Sequence, residues 1–311
     1  MKPDIIVANP FHPDHMAALA EAFTPHLMSE ARDQTAFLAA LADKARGICT
    51  SVAPITAQMI AALPRLEIIA AMTVGVDHID LAAARARSIA VTNAPDVLTD
   101  DVADLGMVLL LCVARRIVAA DRYLREGHWR EAQFPLANKV GGATLGILGL
   151  GRIGLAVARR AEAFGMRIVY HARGRRLDVS YPFYDNLVAM ARAVDYLMVN
   201  CPGGAATRHL VNAEVIDALG KDGALINIAR GSVVDEPALV KALLEGRLGG
   251  AGLDVFAEEP KVPEALFALD NVVLTPHVAS GTRATRLAMG RLMVDNLLAH
   301  FSGRQLLSRC A

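Results

Sequence analysis

Short apolar and β-branched runs alternate with helical stretches from one end of this 311-residue chain to the other. In the first part, strands are predicted at DIIVA, GICT, IIAAM and IAVT, which are residues 4–8, 47–50, 68–72 and 89–92. Stretches rich in alanine and leucine, such as DHMAALAEAF, separate these runs with helical spacing. Strands and helices that alternate in this way form parallel sheets flanked by helices. The alternation therefore predicts an α/β fold.

The alternation is interrupted near Pro95 and begins again at Thr144. Residues 95–117, PDVLTDDVADLGMVLLLCVARRI, predict a buried helix that joins two domains, with Thr99 and Asp100 as candidate N-caps. The more polar residues 120–142 predict an excursion or a subunit-contact arm. Six strand-like runs follow, which is the strand count of a dinucleotide-binding sheet. The last predicted helix, residues 282–300, has no strand after it.

Charge and cysteine content exclude several classes of protein. The 32 basic and 32 acidic residues balance, so no global field attracts nucleic acid or an anionic membrane. The cysteines lie far apart with no metal-ligand spacing, which favours reduced thiols and no metal site. The chain begins MKPDIIVANP, without a signal-peptide core, and the apolar run at 105–114 is too short to span a bilayer. These features predict a cytoplasmic protein without nucleic-acid, membrane or metal partners.

A glycine-rich turn, GLGRIG, occupies residues 149–154. It follows the predicted strand TLGIL and opens the predicted helix LAVARRAEAF, which is the context that a dinucleotide-binding turn requires. The first glycine permits the turn, the second lets the backbone approach a pyrophosphate, and the third lets the helix pack on the strand. The N–H groups at the helix start then face the phosphates. The cofactor-binding residues predicted here are Gly149, Gly151, Arg152, Ile153 and Gly154.

The second strand of this block ends in YHARGRR, residues 170–176. An acidic residue that binds the cofactor ribose is expected about twenty residues past the turn, and His171 stands there instead. Without an acid, and with Arg173, Arg175 and Arg176 nearby, a 2′-phosphate can be bound by charge-assisted hydrogen bonds. The alternative is a solvated loop that happens to be basic. The sequence predicts NADP(H) as the preferred cofactor, and NAD(H) stays open.

Several long motifs occur in a fixed order between about residue 45 and about residue 300: TVGVDHIDLAAARA, NAPDVLTDDVADL, GLGRIG, NIARGSVVDEPALVKAL, GAGLDVFAEEP and LTPHVASGTRATR. In this order they resemble the D-isomer-specific 2-hydroxyacid dehydrogenases, with most likeness to the NADPH-dependent glyoxylate/hydroxypyruvate and hydroxyphenylpyruvate reductase branch. The resemblance implies two Rossmann-like domains with parallel sheets flanked by helices and an active site in the interdomain cleft. It implies a flavodoxin-like substrate-binding domain, residues 1–98 plus 285–311, a dinucleotide-binding domain, residues 99–284, and a homodimer.

Three residues are the catalytic candidates that the resemblance assigns. His277 in TPHVAS matches the general acid, and Glu259, rather than its neighbour Glu258, matches the carboxylate that keeps the imidazole protonated. Arg230 in IARGS matches the residue that holds the substrate carboxylate and carbonyl oxygen, where a planar bidentate donor suits the task. Taken singly, the histidine and the glutamate are better explained as ordinary loop residues. Jointly, at predicted strand ends, they favour catalysis.

Further contacts follow from the same resemblance. The loop Val74, Gly75 and Val76 matches the segment whose N–H groups take the substrate carboxylate. The additional cofactor contacts that it implies are Asp254 to the nicotinamide amide, Cys201 and Pro202 as a wall against adenine, and Ile228 and Ala229 under the nicotinamide ribose. Met72 is either a pocket-lining or a core residue, and Trp129 is either a dimer anchor or a packing residue.

The function predicted from these features is NADPH-dependent reduction of a small 2-keto acid, such as glyoxylate or hydroxypyruvate, to the D-2-hydroxy acid. Two alternatives stay open: an NAD-linked dehydrogenase of the same family, and a non-enzymatic regulator that senses a nucleotide on this fold. The intact set of Arg230, Glu259 and His277 disfavours the regulator, because a sensor has no need of an acid and its partner. The sequence leaves open which 2-keto acid is used.

Overall fold

The computed structural model describes residues 2–311. The strands, in chain order, are β1 (Asp4–Val7), β2 (Thr24–Leu27), β3 (Ala45–Thr50), β4 (Ile68–Ala71), β5 (Ala90–Thr92), β6 (Thr144–Leu148), β7 (Arg167–His171), β8 (Tyr196–Val199), β9 (Ala224–Asn227), β10 (Gly250–Leu253) and β11 (Val272–Leu274). The α-helices are α1 (Pro13–Ala22), α2 (Gln34–Leu41), α3 (Ala57–Ala62), α4 (Leu81–Ala86), α5 (Thr99–Ala114), α6 (Ile117–Arg125), α7 (Arg152–Ala163), α8 (Leu187–Arg192), α9 (Ala213–Leu219), α10 (Glu236–Leu244) and α11 (Arg283–Phe301). Among residues 2–311, no helix combines the length and the apolar character that crossing a membrane requires.

The chain divides into two compact units. The first unit contains the described residues as far as Leu98 together with residues 282–311, and the second contains residues 99–281. The chain thus leaves the first unit just before α5 and returns to it with α11, which packs against α1 and β4. Each unit is built on its own parallel sheet.

In the first unit the strand order is β2–β1–β3–β4–β5, and all neighbouring pairs are parallel. This is the order of flavodoxin-like sheets. Residues 5–7 of β1 and 68–71 of β4 are completely buried, as expected for strands that are covered on both faces. The order places the carboxyl ends of β1 and β3 side by side at the point where the chain reverses its direction of travel across the sheet.

The edge strand β2 is absent from the strands that the sequence predicts. Its residues, TPHL, include a proline and a histidine, which are unlike the apolar runs of the central strands. Pro25 has no N–H to donate to a ladder, and an edge position tolerates that loss. His26 helps to hold β2 against β1 by a hydrogen bond of 2.7 Å between its Nε2 and Asp4 Oδ1. Tertiary pairing with β1, rather than local propensity, makes this segment a strand.

In the second unit the strand order is β11–β10–β9–β8–β6–β7, again parallel throughout. A parallel bridge between Tyr170 and Phe183 adds a short segment outside β7. With that segment as the third strand, the first strands follow the 3-2-1-4 order of dinucleotide-binding folds. The two sheets confirm the predicted fold class of two Rossmann-like units flanked by helices. The glycine turn follows β6, whose neighbours β7 and β8 lie on opposite sides.

The predicted helix over residues 95–117 is shorter in the structure and is followed by a second helix. α5 ends at Ala114, Arg116 has a left-handed backbone with φ 52°, and α6 begins at Ile117. α5 lies wholly in the second unit, where it packs against α7. The polar stretch after α6 is largely exposed, including Trp129, as the prediction of an excursion requires.

Candidate active site

The glycine turn lies between β6 and α7 in the second unit. Gly149 has a left-handed φ of 95°, and a Cβ there would lie 2.7 Å from the backbone nitrogen of Cys201. A Cβ at Gly154 would lie 2.3 Å from the carbonyl oxygen of Gly149. At Gly151, in contrast, a Cβ would meet no atom of residues 2–311 within 4 Å. The first and third glycines are therefore required by packing, whereas the second faces open space that a ligand can approach.

The surroundings of the turn fit a phosphate group. Gly151 is the N-cap of α7, no side chain caps this helix start within residues 2–311, and the first turn carries no acid. Free N–H groups at a helix start attract anions. The side-chain amide of Asn200 beside the turn is buried with no hydrogen-bond partner in the described chain. The backbone N–H of the same residue donates to Leu148 O at 2.8 Å. Sequence reasoning missed Asn200, although its place directly after β8 was a usable signal.

Alanine substitutions at two glycines of the turn are expected to give opposite results. In Gly154→Ala the new methyl group collides with the backbone, so we expect a loss of about 1–3 kcal/mol of stability and a lower Tm. In Gly151→Ala the methyl group has room in the protein, so we expect an unchanged Tm. It would stand where a phosphate approaches, and NADPH affinity is expected to fall about tenfold or more. Thermal denaturation measures the Tm of each variant, and calorimetric titration measures its NADPH affinity. A lower Tm in Gly151→Ala would contradict the assignment of Gly151 as the point where the phosphate approaches.

The end of β7 carries the predicted ribose-side residues. The ring of His171 donates from Nδ1 to the carbonyl oxygen of Tyr184 at 2.9 Å and stacks on Phe183. Arg173 and Arg175 are exposed and make no ion pair or side-chain hydrogen bond within residues 2–311. The structure therefore holds the His171 ring in place and leaves two cations beside it.

Arg176, the third arginine that the sequence places near a 2′-phosphate, has a structural task. It donates to the carbonyl oxygen of Leu150 in the glycine turn at 2.6 Å and forms an ion pair with Asp178. Asp178 raises the pKa of Arg176, mainly through the hydrogen bond between them. This arginine ties the loop after β7 to the turn, so its charge is already partnered.

The three catalytic candidates follow neighbouring strands of the second sheet. Arg230 comes after β9, Glu259 after β10, and His277 after β11. Because these strands are parallel, their carboxyl ends lie at one edge of the sheet, where open α/β sheets bind ligands. The sheet topology thus gathers side chains that are far apart in the sequence.

His277 and Glu259 are in direct contact. Nδ1 of His277 lies 2.7 Å from Oε2 of Glu259, and the other carboxylate oxygen accepts the N–H of Phe256 at 3.0 Å. Glu258 instead belongs to a short backbone bridge with Lys261. Since Nδ1 is engaged by the carboxylate, Nε2 is the nitrogen left to face a ligand. The contact supplies the carboxylate partner that an imidazole acid needs.

The backbone of His277 is held in a left-handed conformation, with φ 52°. For a residue other than glycine this conformation costs about 1–3 kcal/mol, and it persists only where the surroundings impose it. The N–H of His277 donates to the carbonyl oxygen of Asp254 at 2.9 Å. The Asp254 carboxylate accepts from Thr275 Oγ1 at 2.6 Å and from two N–H groups of the same loop, those of Val278 at 2.9 Å and Ala279 at 3.0 Å.

Asp254 is therefore the anchor of the His277 loop. Asp254 is completely buried, and both of its carboxylate oxygens accept hydrogen bonds from the described chain. These contacts leave the predicted bond to a nicotinamide amide untested, and that bond stays a prediction. The anchoring was not predicted from the sequence, because Asp254 and the His277 loop belong to different motifs of the chain.

Arg230 is braced by its neighbours in the same unit. Its Nη1 donates to Ala229 O at 2.7 Å, and the side-chain amide of Asn227 donates to the carbonyl oxygen of Arg230 at 3.0 Å. The next residue, Gly231, packs so tightly that a Cβ would lie 1.9 Å from the carbonyl carbon of Phe256. Phe256 is also the residue whose N–H binds Glu259. One set of contacts therefore joins the Arg230 loop to the Glu259 and His277 pair.

The remaining predicted cofactor contacts lie in the same unit and are mostly apolar. Cys201, Ile228 and Ala229 are buried, and the carbonyl oxygen of Pro202 accepts the hydroxyl of Thr207 at 2.8 Å. Burial raises the pKa of the Cys201 thiol to about 11. The thiol therefore stays neutral near pH 7, which favours a contact surface over a nucleophile. Within residues 2–311, no three His, Cys, Asp or Glu side chains are grouped to hold a metal ion.

The predicted substrate loop, residues 74–76, follows β4 in the first unit. The carbonyl oxygen of Val74 accepts the side-chain amide of Asn93 at 2.9 Å, and that of Gly75 accepts the hydroxyl of Thr73 at 2.7 Å. The hydroxyl of Thr73 thus stabilises the turn of this loop by a hydrogen bond to Gly75. Met72 is buried.

Comparison with known proteins agrees with this geometry. The model of the family "D-isomer specific 2-hydroxyacid dehydrogenase, NAD binding domain" matches residues 107–279. A hydroxyphenylpyruvate reductase of Plectranthus scutellarioides is 54% identical over 88% of this chain and 88% of its own. A 2-ketogluconate reductase of Gluconobacter oxydans is 41% identical over 99% of this chain and 98% of its own.

Among solved structures, an NADPH-dependent glyoxylate/hydroxypyruvate reductase of Sinorhizobium meliloti, in complex with NADP and malonate, has a TM-score of 0.94 and 47% identity. The alignment covers 100% of this chain and 97% of that one. A match of this length, together with the family model, rules out a likeness restricted to the nucleotide-binding sheet. This chain belongs to the D-isomer-specific 2-hydroxyacid dehydrogenase family.

Proposed function

We propose that this protein catalyses the NADPH-dependent reduction of a small 2-keto acid to the corresponding D-2-hydroxy acid. The observation that carries the proposal is the 2.7 Å contact between His277 and Glu259, at the carboxyl edge of the same sheet that bears the glycine turn. Family membership supports the reaction class, and the names of relatives support glyoxylate and hydroxypyruvate as the kind of substrate.

The cofactor is NADP(H), with NAD(H) as a weaker alternative. Bound NADPH would supply the hydride. The residues that would hold it are Asn200 and the glycine turn for the phosphates and Arg173 and Arg175 for a 2′-phosphate, with His171 in place of a repelling acid. The NADP complex of the Sinorhizobium meliloti relative supports this preference.

The proton that completes the reduction comes from His277. Its Nδ1 is engaged by Glu259, so Nε2 is directed to the substrate carbonyl oxygen and donates its proton there. The Glu259 carboxylate accepts a hydrogen bond from Nδ1 and fixes the orientation of the ring. Arg230 binds the substrate carboxylate and draws electron density from the carbonyl group.

We assign substrate binding to the first unit, with residues 74–76 presenting N–H groups to the substrate carboxylate. The division of the chain supports the predicted domains, residues 1–98 plus 285–311 and residues 99–284. The exposed side chains of Trp129 and Leu136 after α6 support the homodimer. The free cysteines Cys49, Cys112, Cys201 and Cys310 support a cytoplasmic location.

The test of the function is a panel of 2-keto acids assayed with NADPH and with NADH. We expect D-2-hydroxy acid formation and a higher kcat/KM for NADPH. In Arg173→Ala the ratio of the two kcat/KM values is expected to fall about tenfold, because a charge-assisted hydrogen bond to the 2′-phosphate is lost. Arg192→Ala, an exposed arginine on α8, is the matched control and should leave the ratio unchanged.

Two outcomes would contradict the proposal. NADPH binding without turnover of any 2-keto acid would favour the nucleotide-sensing regulator. Equal kcat/KM for NADH and NADPH, unaffected by Arg173→Ala, would remove the cofactor assignment and favour the NAD-linked alternative.

A further inference from the structure

A cavity of about 280 Å³ lies within the first unit, and the proposed reaction does not use it. It is bordered by the segment after β1, by the ends of β3 and β4, and by the start of α11. The residues that line it are Pro10, Phe11, His12, His15, Ser51, Met72, Arg283, Arg286 and Leu287. Basic and apolar side chains and one serine make up this surface, and the described residues contribute no carboxylate to it.

The cavity lies where this kind of sheet binds ligands. Pro10 and Phe11 follow β1, and Ser51 follows β3, the two strands at which the chain reverses direction across the sheet. Ligands of flavodoxin-like sheets bind outside the carboxyl ends of the strands at this reversal. Met72 follows β4 and lies two residues before the substrate loop, residues 74–76. The cavity therefore adjoins the loop to which we assign the substrate carboxylate.

Two arginines supply unbalanced positive charge. Arg283 and Arg286 belong to the first turn of α11, and neither forms an ion pair or a side-chain hydrogen bond within residues 2–311. No acid stands in this first turn. Cations at the amino end of a helix are unfavourable because the helix dipole is positive there. An anion in the cavity would relieve this repulsion and pair with both guanidinium groups.

A buried histidine completes the lining. His15 is 5% exposed and lies against Gly290 of α11, and its Nε2 donates to Leu287 O at 3.0 Å. Its Nδ1 is buried and has no partner within residues 2–311. A buried polar atom without a partner costs free energy. Because Nε2 already donates, Nδ1 of the neutral ring is an acceptor that suits a donor group, so binding of an anion in the cavity is left to the arginines. His12, whose ring centroid lies 5.8 Å from that of His15, uses Nδ1 to accept the N–H of Asp14.

We propose that this cavity is an anionic subsite for the distal end of the substrate, and that it receives a second carboxylate. The preferred substrates would then be 2-keto dicarboxylates, with the 2-keto carboxylate at residues 74–76 and the distal carboxylate at Arg286 and Arg283. The inference rests on the proposed function and narrows its substrate class. Apolar contacts from Phe11 and Met72 would cover the methylene groups between the two ends.

The test compares two 2-keto acids of equal chain length, 2-oxoglutarate and 2-oxopentanoate, which differ in the distal carboxylate. We expect wild-type kcat/KM to be about tenfold to a hundredfold higher for 2-oxoglutarate, the range of one or two hydrogen bonds to a charged group. Arg286→Gln is expected to remove most of this ratio. Arg291→Gln, an arginine on the same helix that faces Asp295 instead of the cavity, is the matched control and should preserve it.

Equal kcat/KM for the two acids in the wild type, or a ratio that survives Arg286→Gln, would overturn the subsite. Turnover of glyoxylate in the same assays shows independently whether the proposed function holds. If no 2-keto acid is reduced, that function fails, and calorimetric titration of the full chain with both acids decides the subsite alone. Tighter binding of 2-oxoglutarate that is lost in Arg286→Gln would support it, and equal binding would refute it.

Discussion

Replacing His277 with alanine is expected to lower kcat by about 10²–10⁴-fold while NADPH affinity stays near that of the wild type. A positioned general acid contributes an acceleration of this size. The glycine turn follows β6 and the His277 loop follows β11, and three strands separate β6 from β11 in the second sheet. The predicted phosphate contacts therefore do not involve the imidazole, and we expect NADPH binding to persist without it. Steady-state kinetics with a 2-keto acid, together with calorimetric titration of NADPH, measures the two quantities separately.

The control for this substitution is His128→Ala, because His128 is an exposed histidine of the same unit outside the candidate site. It should keep wild-type kinetics. Reduction at the wild-type rate by His277→Ala would exclude His277 as the acid. A parallel loss of NADPH binding would show that the histidine has a structural task instead of a chemical one.

Replacing Asp254 with alanine is expected to lower stability and turnover together. The substitution leaves the hydroxyl of Thr275 and the N–H groups of Val278 and Ala279 without their acceptor. The bond from Ala279 is buried and the other two are partly buried, and a buried donor without a partner costs about 1–3 kcal/mol, so we expect a total loss of roughly 3 kcal/mol. For a unit of this size such a loss lowers Tm by about 6–12 °C. Thermal denaturation of the cofactor-free protein measures it.

Thr275→Val is the graded control for Asp254→Ala. It removes one of the hydrogen bonds to the carboxylate, and the expected cost is about 1 kcal/mol. Because the loop also fixes the left-handed backbone of His277, kcat should fall more in Asp254→Ala than in Thr275→Val. A wild-type Tm in Asp254→Ala would show that the loop holds itself in place without the carboxylate.

Local pattern predicted the central strands and the edge strand β5, but it missed the edge strand β2 and the segment at Phe183. β1, β3, β4 and β6 are buried on both faces, so their residues form apolar runs that are visible in the sequence. The edge strand β2, with the sequence TPHL, and the Phe183 bridge have no such run, and their pairing with β1 and β7 is visible only in the folded chain. The break at Arg116 was also missed, since the flanking residues suit a helix on both sides.

The candidate site, like the strands, was predicted only in part from the sequence. Motif order alone indicated His277, Glu259 and Arg230, because the chemistry needs those residue types at strand ends. Their mutual contacts through Phe256 and Gly231 join segments that are more than twenty residues apart in the chain, and no local pattern reports such contacts.

The sequence by itself determined the alternating fold, the family, the glycine turn and the absence of an acid at His171. Each of these depends on residue types at short, regular spacing, which the periodicity of helices and strands makes visible. Only the tertiary structure decided that Asp254 anchors the His277 loop, that Arg176 is already paired, and that His15 and Arg286 share a cavity. Hydrogen bonds and ion pairs between distant segments depend on how the chain packs, and packing is fixed by the whole fold.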